Sequence, residues 1–383
     1  MYFVEKTKGT NFIRQFDYPL FIAVFLLSLI GIAVLKSAIG ETGVSREWLK
    51  QVICLMIGII IAFVTCAIDY KDFKTLGIIL YVGSVALLVL VLLIGDEVNG
   101  SKSWLTVPLI GRFQPSEVAK VAFALVLPVF LERLKEGQHI GKNVAKLLIY
   151  MAIPIALILC QPDAGTALVF VFAFFVMIFI YGIPYRYIFI TVGAMVASTP
   201  LLWLFVMPVH MKQRILTFLM PNTELQGSGW QVYRSKMTIG SGQLYGKGLF
   251  HGLQTQNSSS LASSYSVPER QNDFIFSVIG EELGFVGSML VLLLVFFILF
   301  RCLYIARNSR DEYGKFAVIG ITAMLGFHFI ENIGMNIGVL PVTGIPLPFV
   351  SQGGSALITN YISLGVMLSV SMRRKRAIFN SSP

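Results

Sequence analysis

Runs of about twenty apolar residues, free of period-two alternation, recur along almost the whole of this chain and leave few architectures open. Inside a bilayer every backbone N–H and C=O must be satisfied by the protein itself, so only helices and closed barrels can span it. A spanning helix needs ~20 mostly apolar residues, whereas a barrel strand alternates over about half that length. The pattern therefore predicts an all-α polytopic integral membrane protein. About ten transmembrane helices are expected, near residues 18–38, 51–68, 75–95, 114–131, 147–160, 164–183, 187–207, 274–300, 316–337 and 355–371. The fifth reads as short and meets the sixth through Gln161-Pro162-Asp163, a tight hairpin at one membrane face. Composition agrees: of 383 residues, 56% are hydrophobic and only 13% charged. A soluble domain carries roughly 25% charged residues.

The net charge of +10 orients the chain rather than pointing to nucleic acid, because its Lys and Arg are spread thinly between apolar segments. With the N-terminus cytoplasmic, the inside segments hold eighteen of the 30 basic residues: Lys6, Lys8, Arg14, Lys71, Lys74, Arg133, Lys135, Lys142, Lys146, Arg186, Arg301, Arg307, Arg310, Lys315, Arg373, Arg374, Lys375 and Arg376. Both termini are then cytoplasmic, with a tail over 372–383, and a large extracellular loop, 208–272, joins helices 7 and 8 of a single 1–383 domain. A structureless loop of that length is uncommon. This one carries apolar residues worth burying, among them Trp230, Tyr233, Met237 and Leu249. Its glycines, Gly240, Gly242, Gly246 and Gly248, suggest backbone turning sharply against something, and Asn257-Ser258-Ser259-Ser260 reads as a mobile tip.

Cys54, Cys66, Cys160 and Cys302 lack CxxC spacing, and His139, His210, His251 and His328 show no ligand spacing. Neither a disulfide framework nor a metal site is expected. No GxSxG, HExxH or Walker pattern supports a protease, hydrolase or ATP-driven reading.

Five constellations carry chemistry. In Arg112-Phe113-Gln114-Pro115-Ser116-Glu117-Val118-Ala119-Lys120, Pro115 opens a helix and Glu117 and Lys120 share a face. Lys120 would lie roughly 8–9 Å inside the helix start at ~1.5 Å per residue. Such an intramembrane pair is a site hypothesis by default, its alternative being a structural ion pair. In Gln161-Pro162-Asp163-Ala164-Gly165-Thr166, Asp163 can cap the sixth span and Gly165 permits close helix approach. In the long loop, Lys212, Arg214, Arg234, Lys236, Lys247 and Arg270 are interleaved with aromatics and glycines, a composition suited to phosphate oxygens, its alternatives being ordinary surface charge or contact with anionic headgroups. Asp273 stands where that loop becomes helix; it is either a silent N-cap or a partly desolvated general base, with the costly pair Glu281 and Glu282 beyond it. Finally, Leu340-Pro341-Val342-Thr343-Gly344-Ile345-Pro346-Leu347-Pro348-Phe349-Val350-Ser351-Gln352-Gly353-Gly354-Ser355 is too rich in Pro and Gly for regular helix.

These blocks together resemble the shape, elongation, division and sporulation family of bacterial cell-wall polymerases. The resemblance rests on Phe113–Glu117 with Lys120, on Gln161–Asp163 with Gly165 and Thr166, on Pro268, Glu269 and Asp273–Phe276, on Gly280–Gly284, and on Leu340–Phe349 with Ser351 and Gly353–Ser355. The wording around Gly240–Gly248 and Pro268–Phe276 is more similar to the elongation branch than to the division branch. Ala164, Gln271-Asn272 and Gln352 depart from the commonest family wording, and none of them is a charged position.

The resemblance implies a peptidoglycan glycosyltransferase of the bacterial cell membrane that joins lipid II to a growing polyprenyl-linked glycan, for cell-wall elongation and rod shape. By motif it implies Asp273 as the essential aspartate and Glu117 and Lys120 as the paired charges. Displacing pyrophosphate requires a base for the acceptor hydroxyl and positive charge for the leaving group, which suggests Asp273 as base and Arg214, Arg234 and Lys236 as phosphate holders. Arg112, Gln114 and Ser351 complete the expected substrate-binding set. No covalently bound cofactor is expected. A divalent cation, Mg or Mn, would suit the pyrophosphate, although no ligand cluster marks a place for one. A class B penicillin-binding protein transpeptidase is the partner implied by resemblance, alongside membrane lipids. The rival readings are a flippase or transporter of the lipid-linked precursor, with Glu117 and Lys120 as its gate, and a non-catalytic scaffold for a transpeptidase.

Overall fold

A computed structural model describes residues 15–39, 45–98, 100–107, 111–137, 139–183, single positions between 186 and 204, 209–220, 227–253 and 267–374. The expected seventh span, 187–207, falls largely outside the described residues, as do the 257–260 tip, the basic residues of 1–14 and the end of the tail.

The helices are α1 (Tyr18–Ile39), α2 (Arg46–Ala67), α3 (Phe73–Ile94), α4 (Pro115–Lys135), α5 (Ile140–Cys160), α6 (Ala164–Tyr181), α7 (Val209–Leu219), α8 (Ser228–Ser241), α9 (Ile275–Arg307), α10 (Glu312–Asn336) and α11 (Gly354–Met372). Among the described residues eight of them are long and apolar enough to cross a membrane: α1, α2, α3, α5, α6, α9, α10 and α11. α4 has 21 residues, but Glu117, Lys120, Glu132, Arg133 and Lys135 lower its hydropathy. One sequence expectation is corrected. The fifth span is not short: α5 starts at Ile140, seven residues early, because exposed Lys142 and Lys146 make its first two turns polar and an apolar-run reading discards them. Between α3 and α4 lies a small antiparallel sheet of β1 (Asp96–Val98), β2 (Ser101–Val107) and β3 (Gly111–Phe113), in the order β1-β2-β3.

Burial sorts the helices into an inner and an outer set. α10 is 83% buried along its apolar window and α11 72%, whereas α2, α3 and α5 bury a third or less. α4 is buried almost all round from Pro115 to Leu131, as expected of a helix at the centre of a bundle. It packs against α3, α5 and α10. Small residues let these helices approach closely: a Cβ at Gly365 of α11 would lie 2.7 Å from the Ala62 carbonyl of α2, and one at Gly77 of α3 would lie 2.8 Å from the Leu125 Cβ of α4.

α9, at 33 residues, is longer than a bilayer requires, and it is broken at Gly284, whose φ of 68° and ψ of −163° are non-helical. The glycine-rich stretch of the long loop, 242–248, fills that break. The N–H groups of Lys247 and Gly248 donate to the carbonyls of Glu281 and Glu282 (3.0 and 2.9 Å), and those of Phe285 and Val286 donate to Gln243 and Leu244 (2.8 and 3.1 Å). The backbone groups freed by the kink are thereby satisfied. No side chain fits at the junction, because a Cβ at Gly246 or Gly242 would run into the backbone of 280–284. The sharp turning read from Gly242 and Gly246 is therefore a contact with α9.

Candidate active site

The proline-rich segment after α10 stays non-helical up to Gly354 and folds against the start of α9. Ser351 fixes this arrangement. Its Oγ donates to the Asn272 carbonyl (2.6 Å) and accepts from the Leu347 N–H (2.8 Å), while Gln352 N–H donates to the Gln271 carbonyl (2.9 Å). The Ser351 hydroxyl is thus engaged in joining two loops, beside Asp273. Arg270, the other anchor of the 268–274 segment, donates from Nε to the Ala38 carbonyl at the end of α1 (2.8 Å).

Asp273 is half-buried at the mouth of this arrangement. Burial pushes its carboxyl up to about 7, Glu269 and Asp163 add to the rise, and the Arg214 guanidinium opposes it. Of the loop cations put forward from sequence, Arg214 is the one whose charge acts on Asp273. It is carried by α7 and also donates from Nη1 to the Thr343 carbonyl (3.3 Å). Thr343 in turn donates from Oγ1 to Glu331 Oε1 (2.8 Å). Arg234 lies over the Trp230 ring, 4.1 Å from its centroid, and exposed Lys236 lies against Gly338. Arg112 is exposed on β3, paired across the sheet with Thr106.

Asp163 caps α6, accepting from the Thr166 N–H (3.1 Å) and hydroxyl (2.8 Å), so its structural role is real. It does more: Gln114 donates from Nε2 to Oδ2 (3.2 Å), and Asp163 feels the charges of Lys120 and Glu117 on one side and acts on Asp273 on the other. Burial pushes its carboxyl above the usual range, against the two Thr166 bonds. Gly165 lets α6 reach the Thr343 segment, since a Cβ there would lie 3.1 Å from the Thr343 carbonyl.

Glu117 and Lys120 form the pair that their spacing predicts, Nζ to Oε1 at 2.9 Å, with only 5% and 7% of each residue exposed. His328 of α10 was not legible from spacing. Its Nδ1 faces the Met324 carbonyl (2.7 Å), so that nitrogen carries the proton, and the free Nε2 accepts from Lys120 Nζ (2.9 Å). Thr359 of α11 donates to Glu117 Oε2 (3.3 Å). A small cavity of about 20 Å³, enough for a water molecule, opens beside Glu117, Lys120, His328, Thr359 and Asn360. A second, about 10 Å³, connects the same charges to the Pro346–Gln352 segment. An intramembrane histidine was the available signal for His328; without a spacing pattern it could not be joined to a partner 208 positions away. Among the described residues no group of three or more His, Cys, Asp or Glu side chains is arranged to hold a metal ion.

Comparison with known proteins gives this geometry its context. The chain is 34% identical to the peptidoglycan glycosyltransferase MrdB of Escherichia coli K12 over 360 residues, covering 94% of each. It is 35% identical to the stage V sporulation protein E of Bacillus subtilis, over 93% of this chain and 96% of the relative. A solved chain from work on the coordination of polymerization and crosslinking by a peptidoglycan synthase complex superposes with a TM-score of 0.79 at 31% identity, covering 93% of this chain and 97% of that one. The crystal structure of the rod shape determining protein RodA of Thermus thermophilus gives a TM-score of 0.68 at 28% identity, covering 94% and 98%. The FtsW–RodA–SpoVE cell cycle protein model matches residues 17–376, and the chain therefore belongs to that family, the shape, elongation, division and sporulation family that its motifs resemble.

Proposed function

We propose that this protein is a peptidoglycan glycosyltransferase of a bacterial membrane, polymerising lipid II into β-1,4-linked glycan for cell-wall elongation. The observation that carries the reading to chemistry is Asp273: a carboxyl raised to about 7 by burial and opposed by the Arg214 charge, where the 268–274 segment, the proline-rich segment and α10 meet. A general base works best with a pKa near the working pH. In the proposed step the acceptor sugar hydroxyl gives its proton to Asp273 and its oxygen bonds to the anomeric carbon of the donor. The bond from that carbon to pyrophosphate breaks, and undecaprenyl pyrophosphate leaves with the electron pair. An α-linked donor thus gives a β product by one inversion, with no glycosyl-enzyme. Arg214 is the leading candidate to meet leaving-group charge, with Arg234 and Lys236 further along the same loop and Arg112 and Gln114 at the other rim. Glu117 and Lys120 form the inner polar wall.

The basic residues between spans support cytoplasmic termini and a site toward the outer face. A magnesium or manganese ion travelling with the pyrophosphate would be held by phosphate oxygens and water, with at most one or two protein carboxylates. A class B penicillin-binding protein is the proposed partner, supported by the structural relative's part in a polymerising and crosslinking complex. Purified protein in detergent, supplied with labelled lipid II, tests the reading. The parental chain lengthens glycan and Asp273→Ala does not. A parental rate in Asp273→Ala would reduce that residue to packing, and absence of polymer from the parental chain would favour a transporter of the same lipid.

A further inference from the structure

An aspartate at a loop-to-helix junction is ordinarily consumed as an N-cap, its carboxylate bonded to the first free N–H groups of the helix. Asp273 escapes that fate. The cap position of α9 is Phe274, which has no side-chain capping bond, and among the described residues no N–H or O–H donates to the Asp273 carboxylate. The capping is supplied from another helix. Asn336 Oδ1, on α10, accepts from the N–H of Ser277, the third residue of α9 (3.2 Å), which it shares with the Phe274 carbonyl (3.1 Å), and the Ser235 hydroxyl of α8 donates to the Asn336 carbonyl (2.8 Å).

The same two-asparagine stripe holds the backbone of Asp273. Asn332 Nδ2 donates to the Asp273 carbonyl and to the Ile345 carbonyl, each at 2.8 Å, so both its protons are used and the 268–274 segment is tied to the proline-rich one. Asn336 Nδ2 donates to the Asp273 carbonyl (3.0 Å) and to the Asn332 carbonyl (2.8 Å). Both side chains are fully buried, at 0% exposure. Their i, i+4 spacing stacks them on one face of α10, one turn beyond His328, which grips Lys120. Buried amides whose donors reach the carbonyls of Asp273, Ile345 and Asn332 tie that loop to α10 and to the proline-rich segment.

We propose that Asn332 and Asn336 are positioning residues: they clamp the Asp273 backbone and cap α9 in its place, leaving the Asp273 carboxylate free to take the acceptor proton. The inference rests on the reading of Asp273 as the base. Two nearly isosteric changes test it in the full-length protein with labelled lipid II. Asn332→Asp replaces both donated protons by an oxygen facing two carbonyls. Asn336→Asp keeps the oxygen that caps Ser277, and a carboxylate favours a helix N-terminus, so α9 remains capped while donation to Asp273 is lost. Each variant is expected to lower kcat at least tenfold with KM for lipid II within about twofold of the parent, a split that general loosening does not give. In combination with Asp273→Asn neither should lower the residual rate further. Folded variants with parental kcat would overturn the inference, as would additive losses with Asp273→Asn; if Asn332→Asp does not fold, Asn336→Asp decides. The base reading fails separately, on a parental rate in Asp273→Asn alone.

Discussion

Lys120→Met is the perturbation that separates a catalytic pair from a structural brace. In the parent, Lys120 Nζ lies 2.9 Å from Glu117 Oε1 and 2.9 Å from His328 Nε2. Removing the ammonium leaves Glu117 buried with a 3.3 Å contact from the Thr359 hydroxyl, which lies nearer the Ser355 and Ala356 carbonyls (2.9 and 3.0 Å). Breaking one side of a buried pair costs about 3–5 kcal/mol, because the surviving charge keeps its desolvation penalty. His328 also loses a donor, worth about 1 kcal/mol more. Neutralising both partners together, in Glu117→Gln with Lys120→Met, removes the orphaned charge, and such replacements are often neutral in stability. The double variant is therefore expected to regain at least about 3 kcal/mol over Lys120→Met, a factor of roughly 150 in the folding equilibrium, read from denaturant titrations in detergent. Polymerisation per folded molecule is expected to stay near background in both variants. A double variant that regains stability and also lengthens glycan at the parental rate would refute the reasoning and leave the pair a cross-brace.

Two further outcomes follow from the site and the fold. The base must be ionised to accept a proton, so kcat/KM should fall as pH drops through about 7, the value to which burial raises Asp273. Arg214 holds that value down and Glu269 holds it up, so Arg214→Gln should move the acid limb to higher pH and Glu269→Gln to lower pH; limbs that do not separate would remove Asp273 as their origin. Gly284→Ala should cost about 2–4 kcal/mol, because φ is +68° and the new Cβ would run into the Gly246 backbone and lie 2.7 Å from the Leu244 carbonyl. Parental stability in that variant would show that the break in α9 adapts to a side chain.

The sequence determined the class of fold because lipid imposes a length and composition on every span, and that rule is local. The same locality exposed Glu117 with Lys120, and Asp163 as a cap, since helix spacing and capping operate over three or four residues. It marked Asp273 as a junction residue but left cap and base open as alternatives. The tertiary structure takes Asp273 out of the cap position, which Phe274 occupies, and brings Asn336 of α10, 63 positions away, to the start of α9. Tertiary structure also placed Arg214 on the Thr343 carbonyl and Arg234 over the Trp230 ring, and it used Ser351 to join two loops. It brought His328 to Lys120 and closed the glycine-rich loop into the break of α9. The physical reason is common to all of these. A buried hydrogen bond or a through-space charge depends on distance in the folded chain, which spacing along the sequence encodes only within a single element.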